Sequence, residues 1–314
     1  MPFVLNIVGS VFLLLAIGYF SVRAGLFPKE GVKGLIVFIN SFAVPCLLFQ
    51  AMLTVDLHSV FNPEYLLAFY IGAFTTFAVA VAIARLIFKR RPGESIIVGF
   101  SAYFTNTVLV GLPIIHRAYG EESLPLAYGI IGFHAPVLMT FGMLIMELFR
   151  HDGTSLLAAF KRAGIKIVSN PLLIGILLGL LTNLSGLDVP EIIDSVTETM
   201  AEGVLPVALF GLGGALNQYR LRDSWLQGLI SSGLKLVLHP VLVLILALWV
   251  FHLPWEMTRI GVIMAAMPSG LNVYVFATYY NRATDIAANT ILLSTVAAAL
   301  TVSGWLLVIE SLAP

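Results

Sequence analysis

Thr105, Asn106 and Thr107 stand together in an apolar stretch, with Gly111 and Pro113 close behind, in the run Ser101–Pro113, SAYFTNTVLVGLP. A second such stretch is Met267–Ala277, MPSGLNVYVFA, where Pro268, Ser269 and Gly270 precede Asn272. The two asparagines are 166 positions apart. Proline has no N–H and its ring clashes with the preceding turn, while glycine tolerates dihedrals that other residues avoid. Both stretches are therefore expected to be broken helices. Backbone unwound at membrane depth frees N–H and C=O groups, which protein, water or a ligand must satisfy. The helix restarting after each break turns partly positive N–H groups toward the gap. Two such ends facing each other favour an anion, and asparagine amides orient a carboxylate without placing a permanent charge in the membrane. The candidate substrate-binding residues are Asn106, Asn272, Thr105, Thr107, Ser269 and Gly270. Gly111, Pro113 and Pro268 are the candidate helix breaks. The plain alternative is a pair of kinked helices whose polar groups bond to their neighbours.

Ionisable residues inside apolar runs are few, so each is notable. Lys235, His239 (followed by Pro240) and His134 (two before Pro136) are candidates for coupling transport to protons or for attracting an anion, against structural roles as a snorkelling lysine or packing histidines. No pair of aspartates lies mid-span. Cys46 is the single cysteine, so no disulfide framework or thiolate metal site can form within one chain. No metal or cofactor is expected. A phosphate-cradling glycine loop, an HExxH pattern and a distinct nucleophile spacing are all lacking, which disfavours an enzyme. A channel would call for a charged pore ring or a carbonyl filter motif, and neither is evident.

The elements that must position these residues are membrane helices. The chain of 314 residues is 59% hydrophobic and 11% charged, whereas soluble domains carry about 25% charged residues. Net charge is zero, which argues against nucleic-acid binding. Apolar runs without period-two alternation mark ten expected spans, at 3–22, 32–50, 64–88, 95–115, 123–148, 167–187, 200–217, 225–250, 258–280 and 285–309. The first run has no basic residue before it, unlike a signal peptide. Fourteen of the seventeen basic residues fall on one side of this scheme. The positive-inside rule then places both termini outside the cell membrane. The acidic segment between spans six and seven reads as an exterior amphipathic helix.

The two halves share internal matches. VPCLLF at Val44–Phe49 and LPVALF at Leu205–Phe210 lie 161 positions apart, close to the spacing of the two central asparagines. Five spans per half is an odd number, so the second repeat is expected to be inverted: repeats at 1–152 and 167–314, joined by a linker at 153–166. Inverted repeats with matched helix breaks point to a carrier with its site at the midplane. Pro45 and Pro206, with the nearby Asn40, Ser41 and Gly211, read first as bends and tight packing. Ser169-Asn170-Pro171 reads first as a helix start.

TNTVLVGLP and MPSGLNVYVFATYY resemble the two crossover signatures of the auxin efflux carrier family, and SNPLLIGILLGLL is similar to the opening of that family's second half. The resemblance spans the whole chain and lies with bacterial relatives of the plant auxin carriers, which lack the long central loop. It implies an all-α polytopic fold with two crossover helices. It further implies a scaffold of spans 1, 2, 6 and 7, often dimeric, and a transport domain of spans 3–5 and 8–10 that moves elevator-fashion. Asn106 with Pro113, and Asn272 with Pro268, take the crossover positions, both asparagines facing a substrate carboxylate. Malate or malonate is the implied substrate class. Sodium- or proton-coupled transport of the bile-acid symporter type is the alternative.

Overall fold

The computed structural model describes residues 2–53, 62–150, 169–219, 221 and 224–313. The expected linker 153–166, the first two residues of the sixth expected span, Asp56, Arg220 and Arg222 lie outside the described residues. Lipid admits a backbone only when its polar groups are bonded internally, and the described residues are helical apart from short turns and one isolated two-residue bridge. In order they are α1 (Pro2–Arg23), α2 (Lys29–Leu53), α3 (Pro63–Leu86), α4 (Pro92–Tyr103), α5 (Leu112–Tyr119), α6 (Leu124–Arg150), α7 (Pro171–Ser185), α8 (Glu191–Glu202), α9 (Val204–Leu216), α10 (Trp225–Val250), α11 (Trp255–Ala265), α12 (Asn272–Tyr280) and α13 (Thr284–Leu312).

Seven stretches among the described residues are long and apolar enough to cross a membrane: in α1, α2, α3, α6, the α8–α9 pair, α10 and α13. The expected spans 95–115 and 258–280 are each two short helices flanking a break, α4 with α5 and α11 with α12. The helix in the expected span 200–217 begins at Val204, because α8 ends at Glu202 and Gly203 caps both helices. The amphipathic α8 buries none of its side chains. It is tied down by Gln50, whose amide donates to Asp194 Oδ1 at 2.8 Å and Thr197 Oγ1 at 2.6 Å.

Three prolines shape their helices in the same way. Wide π-helical turns at Ile39–Ala43, Thr107–Gly111 and Leu234–Leu238 each end two residues before a proline: Pro45, Pro113 and Pro240. The proline ring cannot approach the carbonyl four residues back, and an extra residue in the turn relieves the clash. The bypassed carbonyl still needs a donor. For Pro240 that carbonyl is Leu236 O, and Trp305 Nε1 on α13 donates to it at 2.9 Å.

Small residues set the closest helix contacts. A Cβ on Gly213 of α9 would lie 1.9 Å from Leu15 O on α1, and one on Gly175 of α7 would lie 2.3 Å from Pro45 O on α2. In lipid there is no hydrophobic drive to join helices, so such backbone-to-backbone packing supplies it. The α1–α9 and α2–α7 pairs are locked in this way. Between the two broken helices, Phe100 of α4 stacks on Phe276 of α12 with ring centroids 4.0 Å apart.

Gly213→Ala and Gly175→Ala are expected to lower the melting temperature in detergent by more than about 4 °C. Gly34→Ala, whose Cβ meets nothing within 4 Å, leaves it unchanged or raises it. Trp305→Phe is expected to cost about 1–3 kcal/mol by orphaning Leu236 O. In a Pro240→Ala background, where residue 240 regains its N–H, the same change costs less; a double-mutant cycle by chemical denaturation checks the coupling.

Candidate substrate site

An uninterrupted helix would bond Thr105 N–H to Ser101 O, and Ser269 N–H to Ala265 O. Both bonds are lost at the breaks, and all four groups are re-partnered. Thr105 N–H donates to His134 Nε2 on α6 at 3.0 Å, and Ser101 O accepts from the Ser269 hydroxyl at 2.9 Å. Ser269 N–H donates to Ser294 Oγ on α13 at 3.1 Å, and Ala265 O accepts from Lys235 Nζ at 2.5 Å. The extended residues then pair across the crossing as a single antiparallel bridge between Thr105 and Ser269. Asn106 N–H donates to Pro268 O at 2.8 Å, and Gly270 N–H to Phe104 O at 2.9 Å. The two breaks are thus one stitched unit. A buried backbone group left unpaired costs about 1–3 kcal/mol, so each partner is a condition of the break existing.

Asn106 sits where the first break turns back into helix. Its Oδ1 accepts from Leu109 N at 3.3 Å as an N-cap, and Gly111 N–H returns to Asn106 O at 3.1 Å. That leaves Nδ2 buried with no hydrogen-bond partner. His134 is in a similar position. Its Nε2 accepts from Thr105, so the ring is neutral and its hydrogen lies on Nδ1, which is buried and unpartnered. A third buried polar atom without a partner is Thr140 Oγ1, six residues further along α6.

All three side chains line one cavity of about 390 Å³. Around it stand Thr105, Thr107, Gly270 and Asn272 from the two breaks. Asn40 and Ser41 from the widened turn of α2, and Ser169, Asn170 and Pro171 at the start of α7, form the facing wall. Ile131, Met139 and Met143 supply apolar surface. Among the described lining residues none is Asp, Glu, Lys or Arg, and His134 is the one with an ionisable side chain. The arrangement can offer several uncharged donors to one acceptor group.

The sequence-derived residues divide into three sets. Asn106, Thr105, Thr107, Gly270, Asn272 and His134 meet at the cavity, with Asn272 exposed as the first residue of α12. Ser269, Gly111, Pro113 and Pro268 are not among the residues that line the cavity. Ser269 has its hydroxyl on Ser101 O, a Cβ on Gly111 would press on Met264 Sδ at 2.9 Å, Pro113 opens α5, and Pro268 supplies a carbonyl to Asn106. Lys235 and His239 do not line the cavity. They lie behind the second break, bonded to each other at 3.2 Å. Sequence reasoning missed Thr140 and undervalued the wall of Asn40, Ser41, Ser169 and Asn170. The signal for that wall was present: each pair precedes a proline, at Pro45 and Pro171.

The family model described as membrane transport protein matches residues 3–306. Over 303 residues the chain is 26% identical to a Rhizobium meliloti protein provisionally named a malonate transporter, covering 95% of this chain and 93% of that one. It is 24% identical to auxin efflux carrier component 8 of Arabidopsis thaliana over 334 residues, 90% of each chain. It is also 24% identical to an uncharacterized transporter of Methanothermobacter thermautotrophicus, covering 96% of each. The match is to carriers rather than enzymes over nearly the whole length, and it meets a helical membrane fold with two interrupted helices: the chain belongs to the membrane transport protein family that includes the auxin efflux carriers.

Proposed function

We propose that this membrane transporter is a secondary carrier of small organic anions, with a carboxylate held at the crossing of the two broken helices. The observation that carries the reading is that Asn106, His134 and Thr140, each with a buried polar atom (Nδ2, Nδ1 and Oγ1) without a hydrogen-bond partner, line a single cavity. Each is able to donate a hydrogen bond, and an anion accepts from all. Hydrogen bonds to a charged acceptor are worth about 1.5–3 kcal/mol each. The malonate named for one relative is a carboxylate of suitable size and is the first substrate to test.

The packing supports an elevator movement. The locked pairs α1–α9 and α2–α7 form the scaffold in this reading; α3–α6 and α10–α13 form the transport domain. The cavity lies between the groups, with α2 and α7 contributing one wall and the stitched breaks the other. The transport domain would carry the breaks and the anion together, leaving the Asn40–Ser41 and Ser169–Asn170 wall behind. The two breaks also resemble each other in their repairs: one N–H from each donates to a long helix, α6 or α13. That supports ten spans in two inverted repeats, at 1–152 and 167–314. The distribution of basic residues supports both termini outside the cell membrane, and the locked α1–α9 and α2–α7 pairs are the proposed homodimer surface.

Uptake of labelled malonate and a panel of mono- and dicarboxylates into proteoliposomes tests the reading. Asn106→Asp keeps the N-cap acceptor but turns a carboxylate oxygen toward the anion; Thr140→Val removes one hydroxyl at constant shape. The first is expected to lower uptake efficiency more than about 30-fold and the second about tenfold, on a scale of 1.4 kcal/mol per factor of ten. Wild-type kinetics in both folded variants would overturn the proposal.

A further inference from the structure

Ser101 O and Ala265 O occupy matching places in the two breaks, each left without its helical donor, and they are satisfied by different chemistry. Ser101 O takes a hydroxyl; Ala265 O takes the primary amine of Lys235. Lys235 comes from α10, on the wide turn that Pro240 imposes, and its side chain is 0% exposed. Its second partner is His239 Nδ1 at 3.2 Å. Since that nitrogen accepts from the amine, Nε2–H of the same ring is directed to Phe69 O at 3.4 Å. Among the described residues no Asp or Glu forms an ion pair with Lys235. The amine is therefore held by a carbonyl and a neutral imidazole, at the partly negative C-terminal end of α11. Neutral dipoles at the carbonyl end of an interrupted membrane helix are the surroundings in which carriers coordinate a coupling sodium ion.

We propose that Lys235, as an ammonium, is a tethered cation that takes the place of a coupling sodium ion at the second break. The break is then held closed at every stage of the cycle, and this position has no alkali-cation requirement. The proposal rests on the carrier reading for its meaning in transport, but its effect on the break is measurable without transport.

The test uses full-length wild type, Lys235→Ala and Lys235→Met, melted in detergent in equal concentrations of sodium, choline or ethylammonium chloride. Each is also assayed for malonate uptake in the same salts. Wild type is expected to melt and transport alike in sodium and choline. Lys235→Ala is expected to melt lower in choline and to regain more than about 3 °C with sodium or ethylammonium, as a ligand bound by the folded state requires. Lys235→Met, which fills the space without an amine, is expected to lose stability without regaining it. Uptake by both variants in choline is expected to fall at least about tenfold, with recovery by added cation in Lys235→Ala alone. Sodium-dependent melting or uptake by wild type would overturn the proposal. So would wild-type behaviour of Lys235→Met, or a destabilised Lys235→Ala indifferent to every added cation. Should wild type transport none of the carboxylates, the carrier reading fails, while the melting series still decides the role of Lys235.

Discussion

The controlling constraint is that no backbone N–H or C=O can stand unbonded at membrane depth. Two helices in this chain are interrupted there, so every group released by an interruption needs a partner from elsewhere. Pro113 and Pro268 are placed to favour the breaks, but they do not stabilise them. Stability comes from the reciprocal bonds between Asn106 and Pro268 and between Gly270 and Phe104, and from His134, Ser294, Ser269 and Lys235 serving the four remaining groups. Each break supplies partners to the other, and neighbouring helices supply the rest.

A site follows from this repair almost by subtraction. Once the backbone is satisfied, some side chains have a polar atom left over. Asn106 spends its oxygen on Leu109 and keeps its NH2; His134 spends Nε2 on Thr105 and keeps Nδ1–H. Two of the residues that support the first break, Asn106 and His134, also line the cavity. In the proposed carrier, substrate binding and helix architecture would therefore be coupled in the same residues, and a ligand at the cavity would strengthen the network rather than compete with it.

Much of this was legible in the sequence because helix breaks are local events. Asn-Thr-Val-Leu-Val-Gly-Leu-Pro and Pro-Ser-Gly-Leu-Asn announce themselves against apolar surroundings, and so do the buried Lys235, His239 and His134. The use of each group was not legible. Ser269 looked like a ligand residue because it sits in a break, yet its hydroxyl serves Ser101, 168 positions away. Lys235 stood out as a candidate for proton coupling or anion attraction, or as a structural lysine, and its amine is bonded to the Ala265 carbonyl. Thr140 gave no signal, since a lone threonine in an apolar helix normally bonds its own preceding turn. Local pattern marks where a helix fails; only the crossing of distant segments decides which freed group meets which side chain.

The choice of uncharged donors fits what a carrier must do. A site that binds an anion with Arg or Lys gains affinity but leaves that charge without its counter-ion whenever the cavity empties. In the proposed carrier, Asn106, Thr140 and a neutral His134 would hold an anion more weakly and release it without leaving an unpaired charge. The amine the chain does keep at this depth, that of Lys235, is set behind the break and bonded to Ala265 O and His239, away from the residues that line the cavity. A tethered cation also differs electrically from a diffusible one, because it returns with the empty carrier. In an elevator it would offset a monoanion on the loaded stroke and bear one positive charge on the empty stroke. Each elementary charge crossing the full potential carries about 2.3 kcal/mol per 100 mV. For a monoanion the membrane potential would then act only on the return of the empty carrier; a dianion such as malonate would leave one net negative charge on the loaded stroke as well.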